Sequence, residues 1–228
     1  MTITGLVGLT EMIRVYRGTL PLLDLHMARL HDACAQLDLL APPPDIREEA
    51  EGHGLRPPAD RVVRIQWNGG SIVWDDRDLP AAGAIRLALV QELHTGYPVK
   101  STDRAMFERA AVEAGKKGAD EPLLCTEEGW VAESPRFAVA WIEGDAVRLP
   151  ALDLGILPSV GRARLMEVAA AAGLDVEEVR CAPEALNGKP LVLVNAVHGV
   201  REVAALNGVP VPSDVRARGL ADRFWPAG

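Results

Sequence analysis

The chain has 228 residues and a formal net charge of −8, long enough for one large domain or two modest ones with a core that needs no disulfide or metal. Its acidic balance, with no basic stripe longer than an isolated pair, excludes an ordinary nucleic-acid surface. Cys34, Cys125 and Cys181 are too few and too far apart for a disulfide framework or a metal-binding spacing, and read as small buried hydrophobes of a reducing compartment. The opening MTITGLVGLTEMIR carries no basic leader, and no apolar run approaches the ~20 residues of a membrane span, so a cytoplasmic protein is expected.

PLLDLHMARLHDACAQLDLL, residues 21–40, is the first clear helix. Leu23, His26, Met27, Leu30, Cys34 and Leu37 recur at three- and four-residue steps, Asp24 stands as a cap or first-turn acid, and APPP at 41–44 stops the run. A polar, Pro-rich stretch follows to about residue 60. RVVRIQW and SIVWDD then read as two strands joined by NGG, a hairpin signal.

DLPAAGA, residues 78–84, is the best linker. After it, IRLALV reads as a buried strand and STDRAMFERAAVEAG as a helix with a Ser/Thr start and a Gly stop. EPLLCT, EEG and WVAES give strand, turn and strand, and FAVAWI, EGD and AVRLP repeat that arrangement. ILPSVGRARLMEVAAAAG is a loop leading into a helix, and PLVLVNAV is another buried strand. The pattern is α+β in two domains, a small N-terminal α/β domain over residues 1–82 and a larger one over 83–228. It holds no internal repeat and no low-complexity segment.

The chain writes its positive charge almost entirely as arginine, with lysine only at Lys100, Lys116, Lys117 and Lys189. Lys116 and Lys117 follow a helix end, where the dipole favours a cation, and Lys189 lies in the turn NGKP. Lys100 alone stands between a buried strand and a helix with an apolar face. Most lysines are solvated surface groups, but one withdrawn from water gives up its proton more readily, and its neutral amine can attack a carbonyl.

If the partner of such a lysine is pyridoxal phosphate (PLP), the phosphate needs a helix N-terminus and an arginine. SVGRAR offers the first through Ser159, Val160 and Gly161, with Pro158 shaping the entry and Gly161 admitting close backbone approach. Arg29, on the first helix, can supply the second. The pyridine nitrogen needs a carboxylate, and Glu133 at the end of WVAES can provide it. Taken singly, each has a bland alternative: a Ser-capped helix, a surface arginine, a strand-end glutamate in water.

Other chemistries fit less well. His26, His31, His53, His94 and His198 show no ligand spacing, so no metal site is expected. There is no G-x-S-x-G elbow and no dinucleotide or P-loop fingerprint.

The order of these blocks resembles that of the fold-type IV PLP enzymes: branched-chain aminotransferases, D-amino acid aminotransferases and 4-amino-4-deoxychorismate lyases. EMIRVYRGTLPLLDLHMARL is similar to the family's first block, with its His-x-x-Arg-Leu helix. KSTDRAMFERA is similar to the lysine block, and ADEPLLCTEEGWVAES to the block ending in the ring-nitrogen glutamate. LGILPSVGRARL resembles the phosphate loop, and LVLVNAVHGVREV the last strand with its Asn-Ser/Ala phosphate contact. The family's usual opening is reduced here to GLTEMIRV, which implies a shortened small domain.

The resemblance implies that Lys100 binds the cofactor covalently and then shuttles protons, and that Glu133 pairs with the pyridine nitrogen. It implies that Arg29, the Val160 and Gly161 backbone and the Asn195–Ala196 turn hold the phosphate. It also implies a homodimer with each site at a domain boundary near the subunit interface. The run Lys, Ser, Thr, Asp, Arg and the EGWV-x-E block resemble the lyase branch, which converts 4-amino-4-deoxychorismate to p-aminobenzoate and pyruvate for folate synthesis. A class IV aminotransferase acting on D-amino or branched-chain amino acids and a degenerate, non-catalytic member are the alternatives. Arg14, Arg64, Arg86 and Arg104 are all available to substrate carboxylates.

Overall fold

The computed structural model describes residues 8–226, so the opening MTITGLV, read above as carrying no basic leader, lies outside the described residues. Contacts divide the chain into two compact units. The first runs through Ala81 and includes Val99–Asp103; the second comprises Ala82–Pro98 and Arg104–Trp225.

The first unit is built on an antiparallel sheet in the order β1 (Leu9–Val15), β2 (Arg61–Trp67), β3 (Ile72–Arg77). Alternation along β1 turns Leu9, Glu11, Ile13 and Val15 inward. The β2–β3 hairpin closes where expected, because Asn68 Oδ1 accepts from the N–H groups of Gly70 (3.3 Å) and Ser71 (2.8 Å) and Gly69 takes a positive φ. Helix α1 (Leu23–Gln36) packs Leu23, Met27, Leu30 and Cys34 into the core. Asp24 lies in its first turn and makes no cap.

A second helix, α2 (Ile46–Gly54), lies in the stretch that reads only as polar and Pro-rich. Ile46, Ala50 and Gly54 recur every four residues and are buried. With little more than two turns and one large apolar side chain in that stripe, its periodicity is too short to stand out.

The expected Ser/Thr start of the next helix is displaced. Val99–Asp103 instead lies alongside β1: Thr10 N–H donates to Lys100 O (2.9 Å), Thr102 N–H donates to Gly8 O (2.7 Å), and Gly8 N–H donates to Thr102 Oγ1 (3.1 Å). Helix α3 therefore begins later, at Ala105–Lys116, behind Arg104 and without a side-chain cap, and Gly118 at φ +72° ends it. Ser101 and Thr102 serve the sheet of the first unit.

The second unit holds an eight-stranded mixed sheet. Its strands are β4 (Ile85–Leu93), β5 (Glu121–Cys125), β6 (Ala138–Glu143), β7 (Ala146–Pro150), β8 (Asp175–Val179), β9 (Leu191–Asn195), β10 (Gly199–Leu206) and the two-residue β11 (Val209–Pro210). The order is β5-β4-β10-β9-β6-β7-β8, with β11 beside β10. The pairs β4–β5, β4–β10 and β7–β8 are parallel. Helix α3 covers β4 and β5, while α4 (Val160–Ala171) lies on β8 and β9 and α5 (Val215–Phe224) on β10. Leu87, Leu123, Val139, Trp141, Leu193 and Val203 meet in its core.

WVAES does not form the strand its composition suggests. Ala132 N–H still donates to Leu124 O (2.9 Å) and Leu124 N–H to Glu133 O (3.0 Å), but Val131 and Ser134 make only isolated bridges. Strand β8 also escapes the sequence pattern, since DVEEV is an acidic strand at the edge of the sheet. No helix among the described residues is long and apolar enough to cross a membrane.

Candidate active site

In the first unit, Glu11 and the facing side of α1 form a buried charged group. Glu11 points into the core at 1% exposure because its register in β1 is that of Leu9 and Ile13. Arg29 Nε donates to Glu11 Oε1 (2.8 Å) and its Nη2 to Oε2, while His26 Nδ1 donates to Oε2 (2.6 Å). Burial alone would raise the Glu11 carboxyl, but the Arg29 charge and the hydrogen bonds from His26 and Arg29 outweigh it and hold Glu11 at about 2. Burial pushes His26 down from its ordinary value; Glu11 pulls the other way, and the charges of Arg29 and Lys100 add to the lowering. Lys100 is thus close enough for its charge to act on His26. Its backbone is held by Thr10 of β1, and its side chain is half-buried.

Arg29 consequently has a fixed guanidinium. Two of its nitrogens are committed to Glu11, and Nη1 has no acceptor among the described residues. Bidentate pairing of this kind pre-orients the remaining N–H groups toward an incoming anion.

In the second unit, Glu133 is 5% exposed. Its Oε1 accepts from His94 Nε2 (2.8 Å) and from Leu157 N–H (3.3 Å), and its Oε2 has no donor among the described residues. The bland reading of a strand-end carboxylate in water does not describe it.

The start of α4 is shaped as an anion site. Ser159 Oγ accepts from Arg162 N–H (3.1 Å), and helix geometry leaves the N–H groups of Val160 and Gly161 without intrahelical acceptors. Gly161 lies directly on the end of β9: a Cβ there would stand 2.5 Å from Asn195 Cα and 2.7 Å from its carbonyl carbon. Gly161→Ala is expected to lower stability by about 1–3 kcal/mol through overpacking against backbone. Urea denaturation checks this, and an unchanged midpoint would mean that α4 can shift away without cost.

Asn195 closes the β9–β10 turn with its own side chain. Its Oδ1 accepts from Val197 N–H (2.9 Å) and His198 N–H (2.7 Å), and its Nδ2 donates to Arg136 O (3.0 Å). What the Asn195–Ala196 turn has left to offer a ligand is backbone.

Each unit thus brings together part of the expected set: Lys100 and Arg29 in the first, Glu133, Val160, Gly161, Asn195 and Ala196 in the second. Glu11, His26 and His94 are additions. An acid in the inward register of β1 signals Glu11, and a histidine among the leucines of α1 signals His26. His94 at the end of β4 leaves no comparable trace. Of the four arginines open to substrate, Arg14 pairs with Asp60 (2.7 Å), Arg64 with Asp75 (3.3 Å) and Arg86 with Asp120 (2.8 Å). Arg104 donates to Pro135 O (2.5 Å) and lies over the Phe107 ring at 4.4 Å.

These donors suit PLP. An undonated carboxylate oxygen matches a protonated ring nitrogen, and the first unit's clamped arginine and the second unit's helix start are each of a kind that binds a phosphate. Among the described residues no group of three His, Cys, Asp or Glu is arranged to hold a metal ion.

The two units have the fold of a fold-type IV PLP enzyme, α+β with a small N-terminal sheet and a larger mixed one. Residues 8–206 match the amino-transferase class IV family, and the chain belongs to it. Three solved structures illustrate the likeness. A Legionella pneumophila protein proposed to be a 4-amino-4-deoxychorismate lyase is 20% identical, with a TM-score of 0.84 over 96% of this chain and 91% of that one. A Mycobacterium tuberculosis protein described as a hypothetical aminotransferase, in its PLP-bound form, is 21% identical, with a TM-score of 0.86 over 96% and 87%. A Thermotoga maritima protein proposed to be a branched-chain amino acid aminotransferase is 18% identical, with a TM-score of 0.87 over 96% and 85%.

Proposed function

We propose that the chain is a cytoplasmic, homodimeric PLP-dependent lyase that converts 4-amino-4-deoxychorismate to p-aminobenzoate and pyruvate. The cofactor reading is carried by buried Glu133, which keeps one oxygen undonated while His94 and Leu157 hold the other. The lyase reading is supported by the KSTDR and EGWVAE blocks and by the likeness to the Legionella pneumophila protein.

Bound PLP supplies an electron sink that makes the carbon bearing the substrate amine acidic. Lys100 would hold the cofactor, and its amine, when free, would take the proton from that ring carbon. The ring would become aromatic as the carbon–oxygen bond to the enolpyruvyl group breaks, Lys100 would return the proton to the departing enolpyruvate to give pyruvate, and the Lys100 amine would then retake its position so that p-aminobenzoate leaves with its own amine. No water or oxidant is consumed. Glu133 pairs with the ring nitrogen. Arg29 Nη1, the Val160 and Gly161 N–H groups and the Asn195–Ala196 backbone hold the phosphate, and Glu11 keeps Arg29 in place.

The likeness to the Mycobacterium tuberculosis and Thermotoga maritima proteins favours an aminotransferase as the second reading. One assay separates them. Purified protein with PLP, chorismate and an active amidotransferase–synthase pair is expected to form p-aminobenzoate and pyruvate in equal amounts. Absence of p-aminobenzoate, together with cycling of the cofactor to its pyridoxamine form by an amino acid and back by a keto acid, would make the protein an aminotransferase. Inactivity in both assays would make it a degenerate member.

A further inference from the structure

We infer that His94 is a positioning residue for Glu133: its Nε2–H holds Oε1 and so aims Oε2 at the ring nitrogen of PLP. The inference rests on the cofactor reading above and assigns a role to a residue outside the cofactor's own contacts.

His94 stands immediately after β4, and its N–H donates to Cys125 O at the end of the parallel neighbour β5 (2.8 Å). Two adjacent core strands therefore fix its position. The side chain is fully buried, and the imidazole lies 6.3 Å from the Phe107 ring at 50°. Gly96 N–H points at Nδ1 from 3.4 Å, which makes Nδ1 the acceptor and assigns the ring proton to Nε2. Nε2 can then only donate, and Glu133 Oε1 at 2.8 Å receives it.

The second donor to the same oxygen, Leu157 N–H, comes from the loop leading into α4. Glu133 is thus gripped at Oε1 from two elements, and its second oxygen is the part of the carboxylate left for a ligand. The choice of residue has a physical sense. An arginine or lysine here would compete with a pyridinium for the carboxylate, whereas a neutral imidazole orients the group and leaves its charge for the ring.

The test uses the full-length protein loaded with PLP carrying 15N in the ring. Wild type, His94→Phe and His94→Gln are compared by 15N NMR and by steady-state kinetics. The wild type is expected to give the signal of a protonated ring nitrogen. His94→Phe, which fills the space without a donor, should lose that signal and lower kcat while KM for the amine substrate stays near the wild-type value. His94→Gln, whose amide can still donate, should restore both. If His94→Phe does not fold, His94→Asn, too short to reach Oε1, carries the same expectation. A protonated nitrogen in a folded variant lacking the donor would overturn the role of His94. A wild type that takes up no PLP would overturn the cofactor reading, and this inference with it.

Discussion

Replacing Lys100 with alanine is expected to lower turnover by roughly 10³-fold or more, because one amine both carries the cofactor and moves the proton. None of the other lysines is placed to substitute. Lys117 Nζ donates to Leu89 O (2.7 Å) and pairs with Glu113 (2.8 Å), and Lys189 pairs with Glu143 (2.6 Å). Lys116 is exposed at the end of α3. Lys100 is anchored through its backbone to β1, in the same unit as Arg29, so its loss should leave the fold intact. Product formation under single-turnover conditions, with circular dichroism as the control for folding, measures the effect. Activity within about 10-fold of wild type would sink the assignment.

The second large effect falls on stability. Glu11→Ala is expected to cost about 3–5 kcal/mol, since it strips the carboxylate from a buried group and leaves Arg29 and His26 without their acceptor. The acid limb of stability should report the same group. Glu11 has a folded value of about 2 against an ordinary 4.5, so its contribution is complete above about 4.5 and is lost as pH falls toward 2. His26 acts in the same direction. Its folded value is depressed, so below about 6.5 the unfolded chain takes up a proton that the folded chain refuses, and stability falls. Urea midpoints followed from pH 7 downward should therefore decline in wild type, and the decline below pH 4.5 should be shallower in Glu11→Gln. Parallel curves for the two proteins would contradict this account of Glu11.

Much of this was legible in the residues because local pattern and tertiary need agree. The Leu23–Leu30 spacing gives α1, NGG gives the β2–β3 hairpin, and the Ser159 start gives α4. The misses have physical causes. Helix α2 is too short for its period to show, and WVAES pairs only through isolated bridges and single hydrogen bonds although its composition favours a strand. Ser101 and Thr102 look like a helix cap, yet their segment is tied through Lys100 O and Thr102 to Thr10 and Gly8, some 90 positions earlier in the chain. The site follows the same division. Lys100, Arg29, Glu133 and Gly161 stand out by residue type and order. The pairings Glu11–Arg29 and His94–Glu133 join residues 18 and 39 positions apart, and no spacing rule connects them.

The measurement that bears most directly on the central claim is borohydride reduction of the PLP-treated protein, followed by peptide mapping and a visible spectrum before and after. A yellow band that disappears as a pyridoxyl group becomes fixed on Lys100 is the expected result. A protein that stays colourless with PLP, or carries the label on Lys116, Lys117 or Lys189 instead, would contradict it.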